Sequence, residues 1–257
     1  VLRPILYHGG ELGIHSLHGC QSSCGRFLII VVNCASIPCI AANRFAGDFG
    51  PQPGRGNSNI NYLCTNAITE LLIQAYLSGS FPMADPDEDN QIYWHTPTQR
   101  GLIPLDHRFK VPKNLARLYR KGVFETSINR EFETVIRQCA ALRPGDTWIS
   151  EEIIDAYCEL NRIGLAHSFE VWKDDQLVGG LYGVALGKVF CGESMFHTVT
   201  DASKIALVFL VEFLREQNFE LLDTQYLNPH LLQFGAYEIT QEEYMLQFNE
   251  ILNRNLP

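Results

Sequence analysis

From Ala202 to Gln217 the chain reads as a helix that is apolar on nearly every side, carrying Ile205, Ala206, Leu207, Val208, Phe209, Leu210, Val211, Phe213 and Leu214. A helix with no polar face cannot lie on a surface; other elements must enclose it, and a sheet is the natural partner. The preceding stretch supplies one, because its period changes to two. Ser168 to Lys173 alternates, Asp174-Asp175 makes a turn, Gln176 to Leu186 forms a second strand and Lys188 to Phe196 a third. Short turns between alternating runs predict an antiparallel meander. Phe219 to Asp223 is a further apolar strand after the helix.

Helical periodicity dominates upstream. Thr65 to Ser78 presents Ile68, Leu71, Leu72, Ala75 and Tyr76 on one face, with Gly79 as a stop. Gln91 to His95 is a short aromatic strand. Lys113 to Lys121 follows Pro112, which suits a first helical turn. Glu131 to Leu142 is another helix, and Ser150 caps the next, with Glu151 and Glu152 in its first turn. Two amphipathic helical pieces finish the chain, around His230 to Gln233 and Gln241 to Asn253. The fold class is therefore α+β. Strand–strand–strand–helix–strand resembles the core of the N-acyltransferase superfamily that includes the acetyltransferases. The division that the family resemblance given below implies is a small N-terminal α/β domain over residues 58–125 and a larger acetyltransferase-like domain over 126–257, the latter containing the meander and the buried helix. Residues 1–57 carry Gly-Gly, Cys-x3-Cys and Pro-Gly-Arg-Gly without sustained periodicity, and begin with valine. They are predicted to be an appendage, non-native or disordered, such as a translated upstream region behind a valine-coding start codon.

The net charge of −9 argues against wholesale coating of nucleic acid. Its distribution says more. Between residues 100 and 121 lie Arg100, Arg108, Lys110, Lys113, Arg117, Arg120 and Lys121, with Asp106 the only acid. A basic segment inside an acidic protein suits a polyanion that docks at one place and leaves readily. Lys113, Arg117 and Arg120 fall at i, i+4 and i+7 and share a helix face. Cys20, Cys24, Cys34 and Cys39 lie near His8, His15 and His18, yet no pair has the C-x2-C spacing of a zinc knuckle, so no metal is expected. Cys64, Cys139, Cys158 and Cys191 read as small core residues. The longest apolar run, Phe27 to Val32, falls short of the ~18–20 residues of a membrane span. Lacking a clustered basic leader, the chain is expected to be cytoplasmic, off the membrane and monomeric.

Four features can carry chemistry: Gly192-Glu193-Ser194-Met195-Phe196, an acid on an apolar strand; Asp223-Thr224-Gln225, at a strand end; Tyr93-Trp94 with Trp148; and the basic helix face. A carboxylate at a strand end can take a proton from an incoming amine, and a neighbouring amide can fix its geometry. Aromatics can stack a base, and cations on a helix can hold phosphates. Each also has a plain structural reading. Asp223 can satisfy a turn, Glu193 can pair with Lys204, Trp94 and Trp148 can be core or rim aromatics, and the cations can be a solvated face.

The segments Trp148-Ile149-Ser150, His167 to Trp172, Leu177 to Val184, Phe190 to Phe196, Asp201-Ala202-Ser203-Lys204 and Asn228-Pro229-His230, with Phe234-Gly235-Ala236, resemble in order the signature of the leucyl/phenylalanyl-tRNA–protein transferases. Ala75-Tyr76 with Gly79-Ser80-Phe81-Pro82 is similar to that family's early element. The resemblance implies an aminoacyltransferase that moves Leu, Phe or Met from aminoacyl-tRNA to the α-amine of proteins beginning with Arg or Lys, marking them for degradation. It implies Asp223 and Gln225 as the catalytic pair with Glu193 beside them. Trp94, Trp148 and Phe190 would surround the terminal adenosine and aminoacyl group, Leu207, Leu210 and Leu214 would line the side-chain pocket, and Lys113, Arg117 and Arg120 would hold the tRNA acceptor end. Its partners would be that acceptor end and proteins with a basic first residue.

The sequence departs from the family at Phe81-Pro82-Met83, where Phe-Pro-Trp is usual, and at Tyr93-Trp94, where Trp-Trp is usual. The Gly-Gly-Asp element that usually precedes the Ala-Tyr helix is absent. Because an aminoacyl ester is already activated, no cofactor is expected. Asp223 is expected to accept or orient the amine proton while Gln225 aligns the amine. Rival readings are an acyl-CoA-dependent N-acetyltransferase and a non-catalytic tRNA-binding relative. The first would want a glycine-rich pyrophosphate loop where His197 to Lys204 stand.

Overall fold

The buried helix and the meander organise a seven-stranded sheet covered by helices on both faces. In the computed structural model, residues 67–142 and 147–255 are described; the expectations for residues 1–57 lie outside them. The elements are α1 (Ala67–Leu77), β1 (Phe81–Asp85), β2 (Gln91–His95), β3 (Gln99–Ile103), α2 (Lys113–Arg120), β4 (Glu125–Ile128), α3 (Phe132–Ala141), α4 (Glu151–Arg162), β5 (Ala166–Lys173), β6 (Gln176–Leu186), β7 (Val189–His197), α5 (Ala202–Glu216), β8 (Leu221–Asp223), β9 (Tyr237–Thr240) and α6 (Gln241–Asn255). The expected piece around His230 is a 3-10 helix, Pro229–Phe234.

Strands β1 and β2 form a separate antiparallel hairpin. The sheet order is β4-β5-β6-β7-β8-β3-β9. The meander β5-β6-β7 is antiparallel as its turns predict, and β7 then pairs in parallel with β8. That parallel step needs a crossover, and α5 supplies it. Strand β3 falls in the segment expected for the small domain, yet it hydrogen-bonds between β8 and β9 inside the larger sheet. The sheet therefore draws on both sides of residue 125, because the outer edge of β8 must be satisfied and β3 does it.

Alternation sorts the core into two layers. On β6, Leu181 and Ala185 face α5, with Ile205, Leu207, Val208 and Val211, whereas Tyr182, Val184 and Leu186 face the opposite layer. That second layer gathers Leu72 and Tyr76 of α1, Val135 and Ile136 of α3, Ile153 and Tyr157 of α4, and Tyr244 and Phe248 of α6. Helix α4 begins as its sequence dictates, with the Ser150 hydroxyl accepting from the Ile153 amide.

One irregularity places the site. On β7, Gly192 pairs with Gly183 and Ser194 with Tyr182, so Glu193 is an extra residue, a β-bulge. The extra residue inverts the alternation: Cys191 and Phe196 lie in the same core layer although five positions separate them. Strand β7 pairs with β8 only over Val189–Cys191, then continues to His197 beside β6. Where the two strands part, at the bulge, a cavity opens.

Candidate active site

The cavity has a volume of about 510 Å³ and is lined from both core layers. Its apolar lining includes Ile103, Leu181, Met195, Leu207, Leu210, Leu222 and Leu231. Its polar lining includes Glu193, Ser194, Thr224, Gln225, Asn228 and His230, and Phe81, Pro82, Met83, Trp148 and Tyr226 form further wall. A second concavity of about 480 Å³ shares Met83 and Trp148 with the first and adds Asp85, Tyr93 and His95.

In the polar lining the Gln225 Nε2 donates to Glu193 Oε1 at 2.8 Å, and the Tyr76 hydroxyl donates to the same oxygen at 2.7 Å. Tyr76 is in turn hydrogen-bonded to the Tyr157 hydroxyl. Burial pushes the Glu193 carboxyl up from 4.5 to about 7; the Tyr76 hydrogen bond opposes the shift, and the charge of Asp223 reinforces it. Glu193 thus titrates near neutrality in a wall of the cavity, where it can gain or give a proton. It does not pair with Lys204, which instead bridges Asp201 at 2.7 Å.

Asp223 is fully buried and stands behind the cavity wall, not in it. Its Oδ1 accepts from Arg100 Nε at 2.9 Å and from the Gln225 backbone N–H at 2.8 Å. Its Oδ2 accepts from Arg100 Nη2 at 2.6 Å and from the Tyr244 hydroxyl at 3.1 Å. Four donors fill the acceptor sites of one carboxylate. The turn-satisfying reading of Asp223 is therefore present in the fold. Arg100, counted by sequence among the docking cations, is corrected here: it is a fully buried partner of Asp223. Burial alone would lower its pKa, but Asp223 overcomes that and holds it above the ordinary value.

The other expected site residues divide. Trp148, Leu207 and Leu210 line the cavity. Leu214 is buried one turn further along α5, outside the lining, and Phe190 is fully buried edge-on to Phe169. Trp94 is 41% exposed and lines neither concavity. Strand alternation explains this, since Tyr93 and His95 occupy one face of the hairpin and Trp94 the other. Lys113, Arg117 and Arg120 are exposed on α2, and none forms an ion pair among the described residues. Leu115 of the same helix is buried against α5. Sequence reasoning singled out Tyr93 beside Trp94, and missed Tyr157, Tyr244, His95 and the buried role of Arg100.

No described cluster of three or more His, Cys, Asp or Glu could hold a metal ion, and no described helix is long and apolar enough to cross a membrane.

Comparison with known proteins agrees with the motif order. Residues 102–249 match the family model described as leucyl/phenylalanyl-tRNA protein transferase, and residues 69–98 match the model of its N-terminal domain. A leucyl/phenylalanyl-tRNA–protein transferase of Akkermansia muciniphila is 52% identical over 176 residues, 68% of this chain and 91% of that one. That of Paramagnetospirillum magneticum is 53% identical over 178 residues, 68% and 84% of the two chains, and that of Herpetosiphon aurantiacus 51% over 175, 68% and 89%. Among solved structures, L-PGS from Bacillus licheniformis aligns with a TM-score of 0.35 at 13% identity, covering 63% of this chain and 55% of that one. By its matched models and by identity above half over most of these relatives' length, this chain belongs to the leucyl/phenylalanyl-tRNA–protein transferase family.

Proposed function

We propose that this protein transfers Leu, Phe or Met from aminoacyl-tRNA to the α-amine of proteins whose first residue is Arg or Lys, marking them for degradation. The observation that carries the reading is one cavity lined both by apolar Leu207 and Leu210 and by the hydrogen-bonded pair Glu193 and Gln225. The donor's side chain lies against the apolar lining, and its ester carbonyl lies toward the polar lining. The acceptor amine is aligned by Gln225 and gives its proton to Glu193. Its nitrogen bonds to the carbonyl carbon while the bond to the ribose oxygen breaks, and Glu193 returns the proton to that oxygen. The ester is already activated, so positioning supplies most of the acceleration, a contribution that can reach ~7–11 kcal/mol.

In this reading Trp148, with Tyr93 and His95 taking the place expected of Trp94, offers surfaces to the terminal nucleoside. Lys113, Arg117 and Arg120 hold the acceptor stem, their exposure and lack of described ion partners leaving them available to phosphates. The larger domain is acetyltransferase-like, a meander with a buried crossover helix and a cleft where parallel strands part. The smaller domain ends between His95 and Gln99, where the chain leaves the hairpin for the sheet. A substrate carried on tRNA fits a cytoplasmic enzyme working off the membrane.

Incubation with Leu-tRNA and a peptide beginning with Arg or Lys, scored by mass, tests the proposal. A gain of one leucyl residue on those peptides, and none on peptides beginning with Asp or Ala, is expected. Acetylation from acetyl-CoA without leucylation, or no transfer at all, would overturn it.

A further inference from the structure

We infer that Arg100 is a positioning residue for Gln225: through Asp223 it fixes the backbone turn that aims the Gln225 amide at Glu193. The inference rests on the proposed role of Gln225 and adds the element that makes that role possible. Gln225 sits in the left-handed region at φ 55°, which a side chain with a Cβ adopts only at a cost. Something must hold it there. Its own N–H is held by Asp223 Oδ1, and Asp223 is held by the two-pronged Arg100 guanidinium. A planar fork fixes both the position and the plane of a carboxylate, which a point charge cannot do.

The residue next to Arg100 grips the same turn from the backbone. The Gly101 N–H donates to the Gln225 carbonyl at 2.9 Å, and the Gly101 carbonyl accepts from the Thr224 N–H at 2.9 Å. A Cβ at Gly101 would meet the Leu227 nitrogen at 2.8 Å and the Thr224 hydroxyl at 2.9 Å. Arg100-Gly101 is thus a mould against which residues 223–227 are shaped.

Arg100 is itself anchored to the hairpin side of the molecule. Its Nη1 donates to the Gly79 carbonyl at 2.8 Å, and its guanidinium lies 4.3 Å from the Tyr244 ring centroid and 5.4 Å from that of Phe81. Phe81 is cavity wall and packs edge-on against Tyr226. One side chain therefore ties the seat of the hairpin, which forms part of the donor's wall, to the turn that presents the amide.

The test uses the full chain with Arg100→Lys, which keeps the charge and loses the fork, and the paired change Arg100→Gln with Asp223→Asn. The pair buries no lone charge and still offers an oxygen to the Gln225 N–H, so it remains informative if the lysine variant fails to fold. Two readouts are taken per folded molecule: steady-state leucyl transfer, and the side-chain amide resonance of Gln225 by NMR, which needs no activity. For Arg100→Lys the expected result is a fall in kcat on the order of 100-fold, as for a displacement of about 1 Å at a reacting group. KM for Leu-tRNA should stay within about twofold, and the Gln225 amide resonance should shift or broaden. The neutral pair should keep the parental resonance and lose less than about tenfold in kcat, on the same scale of misplacement. An unshifted resonance with parental kcat in folded Arg100→Lys would overturn the inference, as would a folded neutral pair with the amide in place and no turnover. A parent protein that transfers nothing while the resonances behave as expected would sink the functional reading and leave the positioning role standing.

Discussion

Gln225 reaches Glu193 across the mouth formed where β7 leaves β8, its amide donating to the carboxylate at 2.8 Å. The two arrive by different devices. Glu193 is presented by a one-residue bulge, Gln225 by a left-handed turn locked from behind by Asp223. Glu193 stands in the cavity wall, and Asp223 behind it holds the Gln225 N–H.

The displacement of the Glu193 carboxyl from 4.5 to about 7 makes stability depend on pH. Between those values the folded protein binds more protons than the unfolded chain, so stability is greatest below about 4.5 as far as this group is concerned and falls as pH rises toward 7. The loss is on the order of 3 kcal/mol. Glu193→Gln should melt higher than the parent at pH 8 and show a flatter dependence between pH 5 and 8, as scanning calorimetry would read. Parallel curves for the two proteins would contradict this.

Donor choice should follow the cavity lining. Leu210→Ala opens space in the apolar lining and should raise the ratio of kcat/KM for Phe-tRNA over Leu-tRNA by about tenfold or more, the worth of a methylene or two. Leu214→Ala should cost ~2–5 kcal/mol in stability without changing that ratio, because Leu214 is buried outside the lining. Competition between the two charged tRNAs reads both variants.

Charge on α2 should matter for tRNA and for nothing else. Reversing Lys113, Arg117 and Arg120 to Glu should raise KM for Leu-tRNA and flatten its dependence on salt by a slope of about 2–3 on logarithmic axes, with kcat at saturation preserved. A salt dependence equal to the parent's would place the acceptor stem elsewhere.

The parts of the fold that sequence made legible are those set by local periodicity. The meander, the enclosed helix α5, the Ser150 cap and the basic face of α2 all follow from residue spacing within a few turns. What spacing could not show is pairing at a distance. Strand β3 is Gln-Arg-Gly-Leu-Ile, with neither alternation nor β-branched residues until its end, and it became an interior strand because β8 and β9 flank it. Arg100 looked like one docking cation among seven because its counter-charge lies 123 residues away. The bulge at Glu193 was hidden for a similar reason: an extra residue is visible only against the partner strand. Trp94 and Phe190 were placed around the substrate by family resemblance, whereas hairpin alternation and core packing put other side chains at the cavity wall.

The most direct measurement is the single-turnover rate of leucyl transfer from pre-charged Leu-tRNA to an Arg-initiated peptide, followed from pH 5 to 9 in the parent and in Glu193→Gln. The parent should show a rate that rises with pH and levels off above about 7, where the buried carboxyl has lost its proton. The variant should be slower throughout by roughly 10²–10⁴-fold, with that limb gone. An unchanged acidic limb in the variant, or transfer at the parental rate, would show that another group takes the proton.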